Sequence, residues 1–209
     1  RTAAKLETTK EAISPHVGNG KLIAHTCDVT SSQSLQIARD FVGDEFESAD
    51  TVFFFAGHIN PDANATGGRH PEDVDADALP GQFGPDYFGA IRTMSILCPL
   101  IAKSDGEFGP SVVFTDSIAC GRDGGGPTTG TFSGYSAAKA ALRNSMKGTA
   151  LAWCKPRTDP GKERPRIMVN SVAPGVFVTA LNRKVFFEDH DQAEPQRFTD
   201  RGKTASEAQ

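Results

Sequence analysis

Three short apolar runs constrain this chain most: Thr51 to Gly57 (TVFFFAG), Ser111 to Asp116 (SVVFTD) and Arg166 to Val172 (RIMVNSV). The first is apolar along its whole length rather than alternating, so as a strand it needs cover on both faces. Between the runs lie segments of helical periodicity, and that alternation is the pattern of a parallel sheet covered by helices. The fold class is therefore α/β. A further run, Lys21 to Val29 (KLIAHTCDV), reads as a fourth strand. Helices are expected from Lys5 to Ile13, ending near Pro15, from Thr30 to about Val42, from Asp86 to Lys103, and from Tyr135 to just before Pro156. Thr30-Ser31-Ser32-Gln33 has the form of a capping box, with the threonine hydroxyl and glutamine side chain satisfying the first free amides. His58 to Pro85 is rich in Asn, Asp, Gly and Pro and reads as a long surface loop.

Composition narrows the classes of partner. A chain of 209 residues with 38% hydrophobic content has the size and core of one domain. Its formal charge of −4, with both signs interspersed, offers no basic face to nucleic acid and no polybasic segment to a lipid surface. No apolar run reaches the roughly 20 residues of a membrane helix, and the first residues lack the apolar stretch of a secretory signal. The expected setting is the cytoplasm, although the true N-terminus is not visible. Cys27, Cys98, Cys120 and Cys154 lie far apart with no histidines at metal spacing, so reduced, mostly buried thiols are expected and no metal site. Asn64-Ala65-Thr66 matches a glycosylation acceptor without other signs of secretion.

Two phosphate-loop candidates fail on spacing. Arg201-Gly202-Lys203-Thr204 imitates the end of a Walker loop, yet Arg197 stands where that motif needs glycine. The glycines between Gly121 and Gly130 lack the G-x-G-x-x-G spacing and read as a flexible connector.

The chemistry concentrates in GYSAAKAAL, Gly134 to Leu142. Four residues apart on a helix, Tyr135 and Lys139 share one face. A free tyrosine ionises near pH 10, and a cation beside it favours the phenolate and makes it useful in acid–base work. Such a pair also arises by chance in a helix. Its setting strengthens it, because Ser117 follows one apolar run, Ala56 and Gly57 close another, and Pro174-Gly175 breaks the third. Parallel sheets gather ligand-binding groups at these carboxyl ends.

These segments, in this order, resemble the short-chain dehydrogenase/reductase family over nearly the whole chain. Asp28-Val29 in CDVT is similar to the family's adenine-contacting segment, and FFAG, ending in Ala56-Gly57, resembles N-N-A-G. Ser117, Tyr135 and Lys139 match the Ser…Tyr-x-x-x-Lys triad, and NSVAPGVFVT, with Pro174, Gly175 and Thr179, resembles the segment that holds the nicotinamide end. The resemblance implies a Rossmann-like, doubly wound parallel sheet and hydride transfer between NADP or NAD and a small carbonyl or alcohol substrate. NADP is slightly favoured, because Arg1 stands where NADP-preferring members carry a base for the 2′-phosphate. In the implied mechanism Ser117 holds the substrate oxygen, Tyr135 exchanges the proton, and Lys139 lowers the pKa of Tyr135 and bonds the nicotinamide ribose. The resemblance also implies a homo-oligomer paired through the Tyr135 helix and a substrate loop region over residues 176–209.

Departures from the pattern shape the expectations. Asp86 stands where the family carries a catalytic asparagine, so an acceptor with a charge replaces an amide. Two phenylalanines replace the asparagines of N-N-A-G, and the interval from Ser117 to Tyr135 is long. The glycine-rich turn of the first family strand has no counterpart, so residues 1–209 read as one partial domain lacking the first two strands and the last. The Lys21 to Val29 strand would then have no neighbour, and the chain alone would hold its cofactor weakly. An alternative is a degenerate, non-catalytic relative that binds nucleotide or a partner. An epimerase or dehydratase using the same tyrosine and lysine fits less well.

Overall fold

The computed structural model describes residues 2–60, 75–118 and 133–175. Gly175–Gln209 forms one compact unit and Arg1–Pro174 another, larger one. Its elements are α1 (Ala3–Ile13), α2 (Ser32–Phe46), β1 (Thr51–Phe54), α3 (Leu79–Phe83), α4 (Gly89–Ile101), β2 (Ser111–Thr115), α5 (Ser133–Trp153) and β3 (Met168–Val172). The three strands form a parallel sheet in the order β1-β2-β3.

Register explains the core. Val52 and Phe54 lie beside Val112 and Phe114, which lie beside Val169 and Ser171, so these side chains share one sheet face. Phe54, Val112 and Phe114 are buried there against Ala90, Met94 and Ile101 of α4 and Leu142 and Met146 of α5. Phe54 stands where the family pattern has an asparagine and packs its ring 6.1 Å from Phe114, so an apolar contact takes the place of that polar group. Phe53 and Phe55 lie on the opposite face, stacked on each other at 5.7 Å and largely exposed.

The α/β class holds, with four local corrections. Residues 21–28 form no strand. They lie along α2 instead, with Lys21 paired to Glu45 and His25 stacked 4.5 Å from Phe41. The physical reason is pairing: among the described residues no strand flanks β1 on its free side, and an extended segment without ladder partners has nothing to hold it as a strand. The cap of α2 is Ser31, whose hydroxyl accepts from the Ser34 amide, while the Thr30 hydroxyl donates to Asp28 Oδ1 at 2.7 Å. Asp28 thus competes successfully for the threonine, and the helix, started one residue later, runs on to Phe46.

The expected loop ending at Pro85 is the third correction. From Ala76 to Ile101 the chain is helical throughout, passing from a 3-10 turn through α3 and a π-helical turn (Gly84–Phe88) into α4. Pro80 falls in the first turn of α3, where a missing N–H costs little, and Pro85 falls in the π-helical turn, where the i to i−4 pattern is already broken, so neither proline ends the helical run. Residues 61–74 of that expected loop lie outside the described residues. Fourth, Cys154 is exposed just past α5, whereas Cys27 and Cys98 are half-buried; Cys120 lies outside the described residues. Among the described residues no helix is long and apolar enough to cross a membrane.

Candidate active site

The helical run over 76–101 buries one stripe, Gln82, Asp86, Ala90, Met94 and Ile101, as a helical period requires. The stripe is apolar where it meets the core cluster and polar at its start, which places Gln82 and Asp86 beside the residue pair that follows β1. The π-helical turn carries Asp86, and such turns concentrate at functional positions. Tyr87 ties this turn to α5 through a 3.1 Å hydrogen bond between its hydroxyl and that of Ser145.

Lys139 enters from α5 and is buried, with its Nζ 3.3 Å from Asp86 Oδ1, 3.0 Å from the Thr115 carbonyl it donates to, and 5.6 Å from the centre of the Tyr135 ring. The structure thus brings together Asp86, Lys139 and Tyr135 at the carboxyl ends of β1 and β2. Asp86 is fully buried. Its Oδ2 accepts from Gln82 Nε2 at 2.6 Å and from the His58 amide at 3.3 Å, and His58 Nδ1 lies 3.4 Å away. Burial pushes the Asp86 carboxyl above the usual carboxylate range, and the Lys139 charge, the His58 amide and His58 itself only partly offset that cost.

Gly57 is held glycine by this pair. A Cβ there would stand 2.7 Å from Asp86 Oδ1 and 3.5 Å from Lys139 Nζ. Gly89 has a similar role under Val29, whose Cγ2 would lie 2.9 Å from an added Cβ. That contact seats Val29 beside Ala56 and Gly57, and together with Cys27, His58 and Gly84 they line a cavity of about 570 Å³.

Asp28 spans the start of α2, its amide donating to Ser34 Oγ at 2.9 Å and its carboxylate accepting from Thr30. Ser117 is half-buried at the end of β2, its amide donating to Asp116 Oδ1 at 2.8 Å and its carbonyl accepting from Arg143 at 3.1 Å. Pro174 lies beside it, its carbonyl accepting from the Ile118 amide at 3.4 Å. Gly175 begins the smaller unit. Arg1 and Thr179 lie outside the described residues, as does the glycine-rich segment from Gly121 to Gly130.

Four residues of the site escaped the sequence reading. Gln82 sits four positions before Asp86, a helical spacing hidden inside a stretch read as loop. His58 directly follows Gly57. Asp116 is buried next to Ser117 and is paired with Arg143 of α5. An acidic residue closing an apolar strand was the available signal for that pair.

A parallel sheet covered by helices, with polar residues converging at its carboxyl edge, defines the class of α/β proteins that bind ligands along that edge. Within that class the chain belongs to the short-chain dehydrogenase family, whose family profile matches residues 1–190. It is 25% identical over 190 residues to the uncharacterized oxidoreductase UxuB of Bacillus subtilis, covering 87% of this chain and 62% of that protein. Among solved structures it resembles a protein of Haemophilus influenza described as a putative D-mannonate oxidoreductase, with bound NAD, with a TM-score of 0.71 at 20% identity, over 92% of this chain and 67% of that one. It also resembles the RhlG/NADP complex of Pseudomonas aeruginosa, with a TM-score of 0.67 at 19% identity, over 88% and 62% of the two chains. The chain thus spans about three fifths of the length of the curated relative it matches.

Proposed function

We propose that the protein to which these residues belong is an oxidoreductase that interconverts a small carbonyl compound and its alcohol with NAD or NADP. The observation that carries this reading is the burial of Lys139 directly behind Tyr135 at the strand ends, next to the cavity walled by Val29, Ala56 and Gly57. Those small, apolar walls fit the adenosine part of a dinucleotide, with Asp28 beside them, and the family pattern assigns Pro174, Gly175 and Thr179 to the nicotinamide end. A bound nicotinamide supplies or takes up the hydride. The chain's own residues handle the oxygen and its proton. Ser117 holds the substrate oxygen, Tyr135 donates its proton to that oxygen during reduction and recovers it during oxidation, and Lys139 stabilises the phenolate between these events. Arg1 favours NADP through its guanidinium.

Asp86 modifies this scheme. Its carboxylate, 3.3 Å from Lys139, offsets part of the positive charge that Tyr135 would otherwise feel. That ion pair is also the one observation favouring the second reading, a non-catalytic relative in which Lys139 is a structural cation. Oxidation of NADH or NADPH over a panel of ketones separates the two, with Tyr135→Phe as control. The catalytic reading expects turnover that falls by about 10² to 10⁴ in that variant, and equal turnover in variant and wild type would refute it. Pairing of two copies would use the exposed stripe of α5, Ala137, Ala140, Asn144, Gly148 and Leu151.

A further inference from the structure

His58 lies outside the Ser-Tyr-Lys set, yet it is in line with it. Its imidazole lines the cavity and is 41% exposed, while the atom nearest Asp86, Nδ1, is itself buried and makes no hydrogen bond that meets strict geometry. Asp86 Oδ1 is the second such atom, and it faces Lys139. The two loosely held atoms thus flank one carboxyl group, with gaps of 3.4 Å on the His58 side and 3.3 Å on the Lys139 side. Small tightening would make both into hydrogen bonds, as catalytic contacts often do only when a site is filled. Gln82 fixes the geometry from behind. Its Nε2 donates to both Asp86 Oδ2 and the His58 carbonyl, at 2.6 and 2.8 Å, and its Oε1 accepts from the Asn60 amide at 2.8 Å.

We infer that His58, Asp86 and Lys139 form a proton path from the cavity to the phenol of Tyr135, with His58 as the group that exchanges protons with solvent. This rests on the oxidoreductase reading of Tyr135. During reduction Tyr135 gives its proton to the substrate oxygen and becomes a phenolate. Lys139 returns a proton to it and becomes a neutral amine. The Asp86 carboxylate then receives a proton at Oδ2 from the His58 imidazolium, a half-turn of the carboxyl presents that proton to the neutral Lys139 amine, and its transfer restores both carboxylate and ammonium. Water reprotonates His58. One proton enters for each one that Tyr135 gives up, and no electrons move along the path. The raised pKa of Asp86 suits a group that must hold a proton in passing. The titratable groups facing the path among the described residues are Lys139 and Tyr135 from α5 and Cys27 across the cavity.

The test uses the full-length protein. Because His58 is partly exposed, His58→Ala should fold. It is expected to lower kcat for reduction about tenfold with KM little changed, and added imidazole should restore most of the loss. A second variant removes the group that passes the proton on: Asp86→Asn should lower kcat for reduction about tenfold or more, and imidazole should not restore it. A kcat for Asp86→Asn within about twofold of wild type overturns the path. So does a kcat for His58→Ala within about twofold of wild type, without response to imidazole, in a protein whose activity Tyr135→Phe abolishes. No turnover in the wild type overturns the reading of Tyr135 and the path together.

Discussion

Asp86→Asn is the most informative single change, because the family's own residue should be the wrong one here. The groups that hold this carboxyl are donors: Lys139 Nζ at Oδ1, and Gln82 Nε2 and the His58 amide at Oδ2. Asparagine has one oxygen, so in either orientation its NH₂ faces a donor. Pointed at Gln82 it loses the 2.6 Å bond, and pointed at Lys139 it meets a buried ammonium. Gln82 cannot simply turn over, because its oxygen holds the Asn60 amide and its nitrogen also serves the His58 carbonyl. Leaving a buried donor unsatisfied costs about 1–3 kcal/mol. The opposing effect is relief of the buried charge, which the raised Asp86 pKa shows to be poorly compensated. The donor mismatch should win, since the variant also strips Lys139 of its counter-charge. Urea unfolding of the full-length protein at neutral pH is therefore expected to show Asp86→Asn less stable by about 1–3 kcal/mol.

The pH dependence has a definite sign. A carboxyl whose folded pKa lies above its unfolded value of 3.8 contributes stability that is fully present below that pH and is lost as pH rises through the folded pKa. Asparagine lacks this contribution. The stability advantage of the wild type over Asp86→Asn should therefore narrow as pH rises from about 4 through the folded pKa and then level off. A variant as stable as wild type at neutral pH, or an advantage that grows over this window, would refute the donor-convergence argument.

Gly57→Ala places a methyl 2.7 Å from Asp86 Oδ1, and overpacking of this kind should cost about 1–3 kcal/mol in the same unfolding assay. Tyr135→Phe, by contrast, should leave the unfolding midpoint near wild type while removing carbonyl reduction, as a cofactor-oxidation assay would show. If two copies pair through α5, Leu151→Lys should shift the protein to a smaller species in light scattering, because Leu151 is 77% exposed in the single chain. Gly89→Val should weaken cofactor binding in calorimetry, since even a Cβ would displace Val29 from the cavity wall.

Apolar runs and helical periods were enough to read the α/β class, and the order of Asp28, Gly57, Ser117, Tyr135, Lys139 and Pro174 carried the family. Those features are legible because each is local: a strand must be apolar where both faces are covered, and a tyrosine and lysine four apart share a helix face wherever they occur. Other features depended on partners distant in the chain. Residues 21–28 are apolar enough for a strand and do not form one, because a strand exists only with a neighbour to pair with. Pro80 and Pro85 read as loop and lie within one helical run, because packing against α5 supports a helix whose own sequence signals a break. Asp86 read as a substitution that impaired a catalytic asparagine. Only the tertiary structure shows why an acceptor must stand there, since Gln82, His58 and Lys139 come from three separate segments and all bring donors to the same buried point.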